Sequence, residues 1–311
     1  MLDILAIIAP LFVAMAAGFV AVRMGAYNKA DIRVLGRFVI QLALPALLFK
    51  ALSERSFGEI INLDYLGAYA LGSLITFAIA AAGARFLKGV SRPALGLIAL
   101  GASTSNSGFI GFPLVVQFLG PKATIAIALC MLVENLVMMP LGIALAESSH
   151  QDGHSRIRTL LTLFSGLLRN PLIIAILAGF TCSLLQIHFP APVTRVIDMF
   201  ALASGAVALF VIGGTLVGLR PGGDLPRVLW VCSGKLIIHP LAVTAMMMLF
   251  APIDPVLRTA GIVVASVPML SIFPILAQKY DEQSWCASGL LIATIASFAT
   301  LTIVMWMTGA P

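Results

Sequence analysis

Long apolar runs separated by short polar stretches set the rhythm of this chain, and the runs are of nearly constant length. Ten of them lie near residues 4–22, 32–52, 65–86, 94–119, 122–145, 170–189, 195–218, 226–250, 256–279 and 284–307. Each holds about the 20 residues that a helix needs to cross the hydrocarbon core of a bilayer. The pattern predicts an all-α polytopic membrane protein with ten transmembrane helices and no soluble domain. A barrel would instead alternate apolar and polar positions over segments of about 10 residues. The first run is preceded only by Met1, Leu2 and Asp3, with no basic stretch, so a retained helix is expected rather than a removed leader.

Composition agrees with lipid as the solvent. Of 311 residues, 60% are hydrophobic and 10% charged, where a soluble domain carries about 25% charged residues. The net charge of +6 is not the mark of nucleic-acid binding, because the basic residues are sorted by loop. Connections 1–2, 3–4, 5–6, 7–8 and 9–10 hold thirteen of the nineteen Lys and Arg, the opposite connections five, and Lys235 lies within a run. By the positive-inside rule the richer set is cytoplasmic, which puts both termini outside a cytoplasmic membrane. Cys130, Cys182, Cys232 and Cys286 are scattered over four apolar runs, without metal-ligand spacing, and read as small buried hydrophobes. No metal or other cofactor is expected. The absence of GxxxxGK[ST] argues against ATP drive.

The chain also repeats itself. At an offset of 161 positions, Pro10, Leu11, Ala14, Ala17, Gly18 and Phe19 match Pro171, Leu172, Ala175, Ala178, Gly179 and Phe180. The same offset pairs Ser105, Phe112, Pro113 and Gln117 with Ser266, Phe273, Pro274 and Gln278. Residues 1–145 and 170–311 are therefore expected to be two five-helix repeats, joined by a cytoplasmic linker over 146–169. Five is odd, so the second copy enters from the opposite side and the repeats are inverted, an arrangement suited to alternating access.

Each copy breaks one helix. In the fourth run Gly108, Gly111 and Pro113 interrupt a segment that carries Ser105, Asn106 and Ser107; in the ninth, Pro268 and Pro274 do so beside Ser266 and Ser271. Backbone groups freed in hydrocarbon need protein or water as partners, so a buried polar site is expected where the breaks lie. Half-helix N-termini would suit an anion there. The alternative is plain packing by small residues, common in membrane helices.

Two charges fall inside the apolar runs: Glu134, followed by Asn135, in the fifth, and Lys235, one turn before His239, in the eighth. A charge at the bilayer centre costs about 2.5–3.5 kcal/mol on insertion scales, so such groups usually face the interior and pair. Glu134 is a candidate proton-coupling carboxyl. Lys235 could attract an anion, pair with Glu134 or snorkel to an interface. His239 reads as a packed or hydrogen-bonded histidine, and Asn135 points to another face than Glu134. Gln41 and Pro45 suggest a kink turned to the cavity.

Three stretches resemble the auxin efflux carrier family: Asn106-Ser-Gly-Phe-Ile-Gly-Phe-Pro113, the run opening at Asn170-Pro171 and reaching Gly179, and Lys235-Leu-Ile-Ile-His-Pro240. That family includes plant auxin exporters and shorter bacterial carriers, some associated with malonate or malate. The resemblance implies helices four and nine crossing at broken midpoints, as in the related bile-acid sodium symporters. It also implies a scaffold of helices 1, 2, 6 and 7 and a moving body of helices 3–5 and 8–10. The short central loop is similar to the bacterial members. The symporters use an acidic residue of the ninth helix for sodium, and residues 256–279 contain no Asp or Glu.

The expectation is a secondary carrier of small organic anions, mono- or dicarboxylates, possessing lipid and substrate as partners and protons as a coupling option. Small residues on the scaffold helices would permit a homodimer. A sodium-coupled symporter or an anion channel with the same fold, and a sensor built on it, are the alternatives. An intramembrane enzyme would need a catalytic set, and neither HExxH nor GxSxG occurs.

Overall fold

In lipid the backbone of an uninterrupted Leu, Ile, Val and Ala run has no partner but itself, and helix satisfies it. The computed structural model describes residues 2–55, 58, 62–148, 169–187, 189–219, 224–250 and 253–309, and among these it holds helices and turns but no strand. In chain order the helices are α1 Leu2–Arg23, α2 Lys29–Ser53, α3 Leu63–Ala84, α4 Arg92–Ser103, α5 Phe112–Leu119, α6 Pro121–Glu147, α7 Pro171–Leu184, α8 Ala191–Leu216, α9 Leu225–Leu249, α10 Pro255–Ser266, α11 Phe273–Gln278 and α12 Gln283–Met307.

Seven of these (α1, α2, α3, α6, α8, α9 and α12) are long and apolar enough to cross a membrane. The chain is thus a multi-pass membrane protein. The other three expected crossings are not single long helices. Residues 94–119 become α4 and α5, residues 256–279 become α10 and α11, and α7 stops at Leu184, short of the expected 189. There the chain turns through Gln186, whose φ of 51° lies in the left-handed region, and Pro190 with Pro192 then opens α8. Most of the expected linker, residues 149–168, lies outside the described residues.

Polar residues set the helix starts. Asn28, Asn62, Ser91, Asn170, Asp224 and Asp254 each accept a backbone N–H of the first turn through the side chain. Four of these caps precede a proline in the first turn, where its missing N–H costs nothing. Interior prolines act differently. Pro45, Pro113, Pro140 and Pro240 each lie two residues beyond a π-helical turn, at 39–43, 107–111, 134–138 and 234–238. A proline ring clashes with the carbonyl four residues back. The wider turn moves that carbonyl aside, and Leu44, Phe112, Met139 and His239 donate instead to the carbonyl five back.

Among the helix pairs that pack at backbone distance, two are related by the offset of 161 positions. α1 lies along α8, where a Cβ on Gly18 would sit 2.0 Å from the Phe210 carbonyl oxygen; α7 lies along α2, where one on Gly179 would sit 3.1 Å from that of Phe49. Phe49 and Phe210 are themselves 161 positions apart, so the two contacts are reciprocal.

The ties between helix ends fall into two groups. Lys50 bonds Asp198, Ser183 donates to the Arg55 carbonyl, and Lys122 holds Asp254 at 2.6 Å. At other connections, Ser91 and Arg227 bond Glu282, Arg92 reaches the Ser148 carbonyl, and Lys279 bonds Glu147. Numbered by the ten apolar runs of the sequence, the first group lies at connections 2–3, 4–5, 6–7 and 8–9, and the second at 3–4, 5–6, 7–8 and 9–10.

Candidate functional site

The two breaks meet. α4 ends at Ser103, and Thr104 is extended (φ −120°, ψ 147°) before the π turn that leads into α5. α10 ends at Ser266, with Val267 extended (φ −72°, ψ 157°). Between them the Asn106 N–H donates to the Pro268 carbonyl at 2.9 Å. Serine and threonine before the first break bond their own helix: Ser103 to Ala99 O, Thr104 to Leu100 O. Ser266 does the same with Ile262 O.

Glu134 comes from the first position of the π turn in α6 and is 2% exposed. Its Oε1 accepts three bonds: Ser107 Oγ at 2.7 Å, Tyr69 OH at 3.0 Å and the Ser105 N–H at 3.1 Å. A carboxylate thus occupies the donors expected to receive an anion at the start of the half-helix, and it belongs to the protein. Ser105 is the hinge of the arrangement, because its Oγ accepts from Lys235 Nζ at 2.7 Å while its N–H serves Glu134.

Lys235 lies in the π turn of α9 and is 0% exposed, so it does not snorkel. Besides Ser105 it bonds the Ala265 carbonyl at 2.8 Å and His239 Nδ1 at 2.6 Å, and His239 Nε2 reaches Ser73 Oγ at 3.0 Å. His239 is therefore the hydrogen-bonded histidine expected. Tyr65 lies one turn before Tyr69 on α3 and bonds Cys130 Sγ at 3.1 Å. The whole cluster is closed from solvent. One polar atom within it, Asn106 Nδ2, is buried without a hydrogen-bond partner.

Of the residues singled out in sequence, Ser105, Asn106, Ser107, Glu134, Lys235 and His239 gather here, and Pro268 contributes its carbonyl. Gly108 lets Leu44 approach, since a Cβ would sit 2.9 Å from it; Gly111 lies over the Asn106 carbonyl and Val264; Pro113 packs on Gly205 of α8. Ser271 and Pro274 are half-buried past the second break and enter none of these bonds. Asn135 turns away, donating to Met131 O and accepting from Asn170 Nδ2 at 3.4 Å. Gln41 is exposed, because the π turn at 39–43 rotates it outward. Sequence reading missed Tyr65, Tyr69 and Ser73. Their spacing of four puts them on one face of an otherwise apolar α3, a pattern that marks a polar seam toward the bundle.

A closed polar cluster holding both charges, at breaks in a multi-pass helical bundle, belongs to the class of membrane transporters. The chain belongs to the membrane transport protein family, the auxin efflux carrier family of the resemblance, whose model matches residues 3–307. It is 26% identical to the "Putative malonate transporter" of Rhizobium meliloti over 99% of this chain and 96% of that one. It is 23% identical to the "Lysosomal cholesterol signaling protein" of Mus musculus, over 94% of this chain and 36% of that longer protein. Similarity to the "Uncharacterized transporter YfdV" of Escherichia coli K12 is 26% over 67% of each chain.

Proposed function

We propose that this transporter is a secondary carrier of small organic anions, mono- or dicarboxylates such as malonate or malate, working by alternating access in a cytoplasmic membrane. One observation carries the reading: hydroxyl and amide donors of a broken helix converge on a carboxylate, beside a buried ammonium and the partnerless Asn106 amide. Preorganised donors of that kind bind carboxylates well because they do not have to be ordered first. The name of the Rhizobium meliloti relative supports malonate as a first substrate to try.

The architecture proposed is ten crossings in two inverted repeats, 1–145 and 170–311, with both termini extracytoplasmic. The reciprocal Gly18–Phe210 and Gly179–Phe49 approaches support a pseudo-twofold relation. The grouping of end-to-end ties supports ten crossings, since each tie joins connections that strict alternation puts on one side.

Within this frame α1, α2, α7 and α8 form the scaffold and the rest the moving body. The ion pairs respect that division. Lys50–Asp198 ties scaffold to scaffold; Lys122–Asp254, Glu147–Lys279 and Arg227–Glu282 tie the moving body to itself. The boundary is mainly apolar, with Gly108 on Leu44, Pro113 on Gly205, and Phe12 edge-on to Phe298 at 5.0 Å. The Asn170–Asn135 bond also crosses it.

The test is uptake of radiolabelled malonate, malate and an indole carboxylate into proteoliposomes, with and without an imposed proton gradient. Saturable uptake with counter-substrate exchange is expected. Unitary currents would replace the carrier by a channel, and no flux of any of the three would sink the substrate class.

A further inference from the structure

The site already contains an anion. Glu134 spends the Ser105 N–H, the Ser107 hydroxyl and the Tyr69 hydroxyl on one oxygen, and an entering carboxylate has use for the same three donors. Among the described residues Glu134 is the buried acid, and Lys235, across Ser105, is the buried primary amine. The groups that face Glu134 are Tyr69 and Tyr65 from α3, Cys130 one turn earlier on α6, and Lys235 with His239 behind it from α9. None of these offers a second positive charge beside Lys235 without a proton being added to the imidazole, which already bonds Ser73 and Lys235. One ammonium compensates one carboxylate, and an unpaired buried charge is strongly disfavoured.

We propose that Glu134 is a tethered competitor of the carried anion, and that each anion can bind only as Glu134 takes up a proton. This rests on the carboxylate-carrier reading and deepens it. An incoming carboxylate takes the Ser105 N–H and Ser107 O–H and becomes the counter-ion of Lys235 through Ser105. Glu134 loses those bonds and accepts one proton from water on the open face, forming its O–H bond. On the far side the steps reverse: Glu134 releases the proton to water, regains its donors and expels the anion. Anion and proton therefore travel together, one for one. Lys235 keeps its proton and stays the fixed counter-charge.

Proton uptake is measured directly, in weakly buffered solution with a pH indicator, as malonate is added to the purified full chain in detergent. The wild-type protein is expected to take up about one proton per malonate bound, and its malonate-induced thermal stabilisation to weaken as pH rises. Glu134→Gln is expected to bind malonate with no proton uptake and with little dependence on pH, and its proteoliposomes not to accumulate malonate under a pH gradient. Binding to the wild type without proton uptake overturns the proposal whether or not the variant folds. So does proton uptake that persists in Glu134→Gln. If malonate, malate and the indole carboxylate all fail to stabilise the wild type, the carrier reading itself falls, and this proposal with it.

Discussion

The two broken segments share one pattern, Ser at the start and Phe-Pro-x-x-x-Gln after it, yet they present different chemistry. The first break offers donors, the Ser105 N–H and the Ser107 hydroxyl, and faces Glu134. The second offers acceptors, with the Ala265 carbonyl on Lys235 and the Pro268 carbonyl on the Asn106 N–H. Two residue choices separate them. Ser107 corresponds to Pro268, so the second break loses both a hydroxyl and a backbone N–H where the first keeps them. Gly108, where the missing side chain lets Leu44 approach, corresponds to Met269, whose side chain is fully buried. Two segments of one pattern can thus turn different groups to a buried pair through substitutions that leave the helix break intact, while the Ser105 hydroxyl oxygen of the first also accepts from Lys235.

The largest expected effect comes from unbalancing the pair. Lys235→Met leaves the Glu134 carboxylate buried without its counter-charge and is expected to cost about 3–5 kcal/mol of stability. Adding Glu134→Gln should recover most of that loss, read as the thermal midpoint of purified protein. Additive losses would mean that Ser105 does not couple the two charges. Next, Ser107→Ala removes a bond to the buried carboxyl of Glu134, worth about 1.5–3 kcal/mol, and should lower the thermal midpoint of the substrate-free protein. Ser266→Ala, whose hydroxyl returns to its own helix, should change that midpoint little. Equal shifts of the midpoint would erase the distinction between the two breaks.

The smallest effect concerns the caps that lead into the two breaks. Ser91 caps α4 with a neutral hydroxyl, whereas Asp254 caps α10 with a carboxylate held by Lys122. Partial burial alone would raise the Asp254 pKa, but the Lys122 bond and the two capping N–H groups outweigh it and hold the carboxyl below its usual range. A depressed folded-state pKa adds stability above the unfolded value of about 3.9 and loses it as pH falls through the folded one. Acid should therefore loosen the second broken segment before the first. Asp254→Asn should flatten the acid limb of the melting curve; an unchanged limb would remove the pair from the account.

Much of this was readable before any coordinates. The apolar runs located the helices, because length against bilayer thickness is a strong constraint, and Gly and Pro beside Ser and Asn located both breaks. Glu134 and Lys235 stood out because a charge in an apolar run is rare. The π turns were not read, although three of the four announce themselves by a proline five or six residues after the polar side chain: Ser107 and Pro113, Glu134 and Pro140, Lys235 and Pro240. Gln41 and Ser271 were legible as polar but not as peripheral, whereas Asn135 was expected on another face than Glu134 and lies there. Tyr69 and Ser73 were missed, because only the fold turns the helix face they share toward Glu134 and His239.

Glu134 and Lys235 are bridged by one serine, and in the proposed moving body they would travel as a dipole whose charges cancel. A membrane voltage does about 2.3 kcal/mol of work per elementary charge per 100 mV, and on the empty carrier of the proposed cycle it would find nothing to act upon. On the proposed cycle a singly charged cargo adds one negative charge while Glu134 gains one proton, so loading leaves the total at zero as well. Voltage would then grip only the surplus charge of a dicarboxylate, and the electrical signature of transport would report the valence of the cargo.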